Sequence, residues 1–165
     1  MPWRNGGGTT TELVLGPERA GRFLYRVSIA DVATNGPFSR FAGYERHIML
    51  IEGAGMTLDC QAHGRIELAA RFEPRAFSGD WEVHGTLVAG AVRDFNLIVD
   101  RERASSSPHV RVLTAPETLT VAPGAICIVH LLDGADAGDT LVADAPFELA
   151  PRGTTRVAVA TVTPR

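Results

Sequence analysis

At 165 residues the chain has the size of one domain or of two small units, and a composition of 45% hydrophobic and 21% charged residues excludes disordered and collagen-like classes. The net charge is -3, and all 16 basic residues are arginines, with no basic cluster of the kind that condenses onto phosphates, so nucleic acid is not an expected partner. No run of about 20 apolar residues is present and the first residues lack the apolar core of a secretory signal, which predicts a cytoplasmic protein without membrane contact.

The chain opens with Trp3-Arg4-Asn5-Gly6-Gly7-Gly8-Thr9-Thr10-Thr11-Glu12. Three consecutive glycines are costly to order, so a fixed conformation there needs a return, such as close backbone approach to a ligand or a strand. A mobile terminus is the alternative. The spacing matches neither GxxxxGK[ST] nor GxGxxG, which disfavours nucleotide binding.

Residues 23–29 alternate, with Tyr25, Val27 and Ile29 on one face and Arg26 and Ser28 on the other, which predicts a half-buried strand. The same reading applies to 47–52, 56–61, 65–69, 82–89, 94–100, 109–113, 118–121, 126–132, 139–143 and 155–162. Turn sequences such as Asn35-Gly36-Pro37, Ser78-Gly79-Asp80 and Asp133-Gly134 separate them. Residues 37–44 predict at most one helical turn. Short strands at this spacing indicate an all-β sandwich or barrel. The polar, serine-rich residues 101–108 read either as a connector between two β units or as a long hairpin loop.

Arg26, Arg46 and Arg93 sit in or beside predicted strands, where a rigidly held guanidinium suits bidentate recognition of a carboxylate. The alternative is a set of ordinary surface ion pairs with Glu45, Glu52 and Asp94. The run Arg93-Asp94-Phe95-Asn96 places Asp94 and Asn96 on one face and Arg93 and Phe95 on the other. The five histidines show no HxH or HExxH spacing, so neither a metal nor another cofactor is expected. Cys60 and Cys127 read as reduced, inert thiols in strands. Leu141, Val142 and Phe147 could form an apolar face for a homodimer.

Taken in order, several motifs carry a resemblance. They are Pro2-Trp3-Arg4-Asn5-Gly6-Gly7-Gly8-Thr9 with Glu12, Arg26-Val27-Ser28-Ile29-Ala30, Gly36-Pro37-Phe38-Ser39, Gly43-Tyr44-Glu45-Arg46 and Glu52-Gly53-Ala54-Gly55. Phe72-Glu73-Pro74 with Phe77 and Gly79-Asp80, then Gly90 with Arg93-Asp94-Phe95-Asn96 and Arg101, complete the set. Through them the chain resembles the HutD/Ves family.

The resemblance implies a bicupin, two packed cupin-type β-barrels in one chain, divided here as residues 1–100 and 101–165. It further implies a role in histidine utilisation or stress response, through binding of a small anionic metabolite such as urocanate or N-formylglutamate. Carried over, the site comprises Asn5, Thr9, Arg26, Ser28, Arg46, Arg93, Asp94 and Asn96. The amides of Gly6, Gly7 and Gly8 would add hydrogen bonds, and Trp3, Phe38 and Phe95 an apolar wall. Family members usually carry a short segment before the Pro-Trp, whereas here Met1 directly precedes Pro2, so either an edge strand is lost or the true start lies upstream. A non-enzymatic binder is the first expectation, with an isomerase or hydrolase using Asp94 or Glu12 as general base as the alternative.

Overall fold

The computed structural model describes residues 1–3 and 6–165. The chain divides into two compact units, Met1–Glu102 and Arg103–Arg165. All strand pairing is antiparallel. Among the described residues there is no α-helix, and no helix long and apolar enough to cross a membrane.

In the first unit the strands are β1 (Gly8–Leu15), β2 (Glu18–Arg19), β3 (Arg22–Phe23), β4 (Tyr25–Val32), β5 (Gly36–Pro37), β6 (Tyr44–Glu52), β7 (Met56–Asp59), β8 (Arg65–Leu68), β9 (Arg75–Ser78), β10 (His84–Leu87) and β11 (Val92–Asp100). A five-stranded sheet runs β1-β4-β11-β6-β9 and a four-stranded sheet β5-β10-β7-β8. Ala30 and Val32 of β4, Ile48 and Leu50 of β6 and Val92 of β11 share one buried cluster with Met56, Leu58 and Leu68 of the smaller sheet. That apolar layer is what holds the sheets together: the alternating side chains of each sheet leave water on one face only.

The inner face of the larger sheet is not apolar throughout. Three cross-strand rows define its other end: Ala30, Asp94 and Leu50, then Ser28, Asn96 and Ile48, then Arg26, Ile98 and Arg46. The buried face thus passes from hydrocarbon to polar groups within three residues of each central strand.

The second unit comprises β12 (Ala104–Leu113), β13 (Glu117–Leu119), β14 (Ile126–Leu131), β15 (Thr140–Ala143), β16 (Phe147–Leu149) and β17 (Thr155–Pro164). Its main sheet runs β12-β17-β14-β15, with β13 and β16 pairing separately. Leu113, Val129, Leu131, Leu149 and Val157 form its core. Phe147 packs against that core, while Leu141 and Val142 stay exposed.

Several sequence expectations need correction. Residues 8–15 form a strand that the threonine-rich composition concealed, because β4 supplies the pairing partner. Among the described residues a short helical turn lies at Gln61–His63, a position the sequence did not single out, and none lies within 37–44, where at most one was expected. The serine-rich segment is neither a loop nor a connector beyond residue 103: Ser105, Ser106 and Ser107 are in β12, paired with Thr163, Val162 and Thr161 of β17. The strands form open sheets, and among the described residues neither unit closes into a barrel.

Candidate functional site

At the polar end of the larger sheet lies a cavity of about 460 Å³, within the ~300–1,000 Å³ usual for small-molecule sites. Its wall is made by Thr10 of β1, Arg26, Ser28 and Ala30 of β4, Arg46 of β6, and Asn96 and Ile98 of β11. Met1, Pro2 and Trp3 cover one side, and Pro37, Phe38, Ser39 and Phe41 another.

The first three residues are ordered by pairing along β1. The Trp3 amide donates to the Gly8 carbonyl at 2.9 Å, the Thr10 amide to the Met1 carbonyl at 2.8 Å, and the Trp3 indole Nε1 to the Thr10 hydroxyl at 2.7 Å. The Trp3 ring meets Phe38 edge-on at 6.0 Å between centroids. Phe41 is placed by its neighbours: its amide donates to the Gly79 carbonyl at 2.8 Å, and the Gly43 amide donates to the Asp80 carboxylate at 2.7 Å. A Cβ at Gly79 would lie 2.2 Å from the Phe41 carbonyl oxygen, so only glycine permits this approach.

Arg46 is the dominant charge. It is 5% exposed, its Nη1 donates to the Ser39 carbonyl at 3.0 Å, and its Nη2 donates to Asn96 Oδ1 at 2.9 Å. Its guanidinium carbon lies 4.9 Å from the ring centre of Phe77, 5.4 Å from Phe41 and 5.6 Å from Phe38. Burial, opposed by the Asp94 charge and reinforced by Arg26, lowers its pKa to about 10, so it stays a cation at neutral pH. Both of its hydrogen-bond acceptors are neutral oxygens, and Nε has no partner among the described residues.

Behind it, Asn96 Nδ2 donates to Asp94 Oδ1. Asp94 is fully buried, its Oδ2 has no partner among the described residues, and burial raises its pKa to about 7 against the opposing pull of Arg46 and Asn96. Arg26, with its side chain 15% exposed, donates from Nε to Glu12 at 2.8 Å.

The residues expected from sequence separate into groups. Arg26, Ser28, Arg46 and Asn96 are brought together on the cavity wall. Asp94 lies one row behind it, and Glu12 shares their face but is engaged by Arg26. Arg93 is on the opposite face, bonded to Asp31 at 2.7 Å and Glu52 at 3.1 Å, because β-strand alternation turns it away from Asp94 and Asn96. Phe95 is turned away for the same reason and does not wall the cavity.

Gly6, Gly7, Gly8 and Thr9 do not line the cavity either. The Gly6 amide is spent on the Trp3 carbonyl at 3.0 Å, the Gly7 carbonyl accepts from Ala33 at 2.9 Å, and a Cβ on Gly8 would lie 2.3 Å from the Asp31 carbonyl oxygen. The glycines serve the close approach of this segment to β4. Asn5 lies outside the described residues. Thr10, Ser39 and Phe41 escaped the sequence reading; Thr10 follows from parity, since it sits two residues from Glu12 on the same face, whereas the loop positions of Ser39 and Phe41 carry no periodic signal.

A second cavity of about 300 Å³ in the second unit has a floor of Leu113, Leu131, Leu149 and Val157. The carboxylate of Asp136 at its rim is paired with Arg152, and among the described residues that line this cavity there is no cation.

Comparison with known proteins gives a consistent family. The family profile described as HutD matches residues 1–162. A Pseudomonas putida protein described as an uncharacterized 21.2 kDa protein in the hutC 3′ region is 44% identical over 104 residues, 62% of this chain and 54% of its own length. The aligned part thus spans about half of that relative. Protein Ves of Citrobacter koseri is 35% identical over 142 residues, covering 85% of this chain and 72% of that protein.

The structure of HutD from Pseudomonas fluorescens SBW25, in a formate condition, superposes with a TM-score of 0.81 at 32% identity, covering 100% of this chain and 93% of that one. A Cupin 2 conserved barrel domain protein from Leptotrichia buccalis matches with a TM-score of 0.52 at 10% identity, over 96% of this chain and 89% of that one. This last likeness concerns the fold alone, and it makes the all-β architecture cupin-like.

Proposed function

Because the chain belongs to the HutD family, we propose that its first unit binds a small carboxylate of histidine breakdown, urocanate or N-formylglutamate, and that occupancy moderates histidine utilisation. The observation that carries this reading is Arg46, a buried cation on a cavity wall whose bonds go to neutral oxygens and whose Nε is unengaged. A buried guanidinium without a paired carboxylate is costly. A carboxylate guest supplies the missing counter-charge, and Trp3, Phe38 and Phe41 offer apolar surface to the rest of a small ligand. The location of the P. putida relative in the hutC 3′ region supports the pathway assignment.

The binder reading has more support than an isomerase or hydrolase. Glu12, one expected base, is held by Arg26, and Asp94, the other, does not reach the cavity wall. The division of the chain into two all-β units supports a finer architectural reading, in which each unit is a cupin-like half of the chain.

The test is a thermal-shift screen against urocanate, N-formylglutamate, histidine, glutamate and divalent metals, with product analysis of every hit. A ligand at 100 times its Kd adds ~2.7 kcal/mol of stability. Stabilisation by an acidic intermediate that is recovered intact is the expected result. Stabilisation by metals alone, or conversion of the ligand, overturns the proposal.

A further inference from the structure

Between Arg46 and the apolar core the structure holds a second group without a defined role. Asp94 lies in the row between Ala30 and Leu50, which carry no charge and can neither solvate nor pair a carboxylate. It is linked to Arg46 through a single side chain: Asn96 donates to Asp94 from Nδ2 and accepts from Arg46 on Oδ1. The Oδ2 atom of Asp94 and Nε of Arg46 are the two buried side-chain polar atoms without a partner among the described residues. Both lie in this one network.

We propose that carboxylate binding in the cavity takes up a proton at Asp94, which acts as a positioning residue for the charge of Arg46 through Asn96. The inference rests on the carboxylate reading of the site. With Asp94 neutral, the buried network carries the single positive charge of Arg46 and attracts an anion. With Asp94 ionised, the network is neutral, and the same anion would enter against a carboxylate buried away from the solvent surface.

The charged groups that act on Asp94 are few. Arg46 on β6 favours its anion, and Asp31 on β4 opposes it. Arg26 of β4 is occupied by Glu12 of β1, and Arg93, the neighbour of Asp94 on β11, faces the other way toward Asp31 and Glu52. Burial dominates, and it places the titration near neutral pH, where a cell can use it. By reciprocity, a guest that prefers the protonated form must also make Asp94 harder to ionise.

The experiment is calorimetric titration of the intact protein with N-formylglutamate from pH 5.5 to 8.5, in buffers of different ionisation enthalpy. The carboxylates of this probe stay ionised across the range. For a tenfold coupling, inside the ~5- to 150-fold span usual for coupled sites, the expected result is an affinity loss of about fivefold between pH 6 and pH 8. Proton uptake accompanies binding, and Asp94→Asn abolishes both while still binding the probe. Because the variant could fold poorly, the carboxyl carbon of Asp94 is also followed by NMR in the unmodified protein; its titration moves up by one pH unit for each tenfold of coupling.

Binding with the same pH slope in the unmodified protein and in Asp94→Asn, or an Asp94 titration unmoved by the probe, overturns the coupling alone. Absence of binding at pH 5.5, where ionisation of Asp94 cannot oppose it, overturns the carboxylate reading itself.

Discussion

At Arg46 the chain keeps a guanidinium out of water with two hydrogen bonds to neutral oxygens and three phenylalanine faces, so desolvation opposes folding and the contacts offset only part of it. Removing one member of a buried charged network is costly, ~3–5 kcal/mol, because the groups it engaged are left uncompensated. Arg46→Met leaves Asn96 Oδ1 without its donor and buried Asp94 without its favourable charge, and is therefore expected to lower Tm in calorimetry and to weaken N-formylglutamate binding by about 100-fold, within the ~2–5 kcal/mol that a desolvated charge contact carries. Retained affinity would remove the clamp from the mechanism. Arg26 has a different balance, since Glu12 already occupies it. In Glu12→Gln the competing charge is gone, and the affinity for a carboxylate should rise by about two- to fivefold, the scale of a partly exposed ion pair; equilibrium titration of the variant reads this directly.

At the scale of elements, the site depends on the approach of the loop after β5 to the end of β9. The Phe41 amide and carbonyl both meet Gly79 closely, and Asp80 holds the Gly43 amide beside them. Gly79→Ala should cost ~1–3 kcal/mol of stability, the usual penalty for forcing extra volume into a packed site, measured as a lower urea midpoint. An unchanged midpoint would mean that the loop does not need this contact.

The strand alternation at Arg26 and Ser28, and at Asp94 and Asn96, was legible because each period-two pattern is local. The choice of face was not. Arg93 has the same strand context as Arg46 by sequence, yet its cross-strand neighbours Asp31 and Glu52 turn it into an exposed ion-pair ladder. That depends on register between strands some 40 to 60 residues apart, 41 and 62 positions for these two contacts, which no local pattern encodes. The glycine run gave a similar ambiguity: its close approach was foreseeable, but its partner was β4 backbone and not a ligand.

For the whole molecule, the buried acid shapes the dependence of stability on pH. The carboxyl of Asp94 is raised from about 4 in the unfolded chain to about 7 in the fold. Between those values the native state holds the proton that the unfolded state has lost, so stability present below pH 4 declines as pH rises through 7, by ~4 kcal/mol at ~1.4 kcal/mol per unit. His47 and His130 act in the opposite direction. Burial lowers both, so their contribution is present above the unfolded value of 6.5 and is lost as pH falls through their folded values.

Asp80 is held down at about 2 by the Gly43 amide first and by Arg101 next, so its contribution is lost as pH falls from about 4 to 2. Chemical denaturation of the unmodified protein and of Asp94→Asn across pH 4 to 8 isolates the buried acid. The difference between the two stabilities should change by several kcal/mol over that window and level off above pH 7. A constant difference would show that Asp94 does not titrate there.

The pairing of Met1, Pro2 and Trp3 along β1 has one more consequence. β1 is the outermost strand of the five-stranded sheet, and a free edge of this kind is a template on which other chains can stack into aggregates. The three residues that cover the cavity therefore also shield the near half of that edge, and their covering role is tied to colloidal behaviour. A change that loosens them to widen access for a ligand would at the same time uncover backbone donors and acceptors to neighbouring molecules, so access to the pocket and resistance to precipitation would trade against each other in this protein.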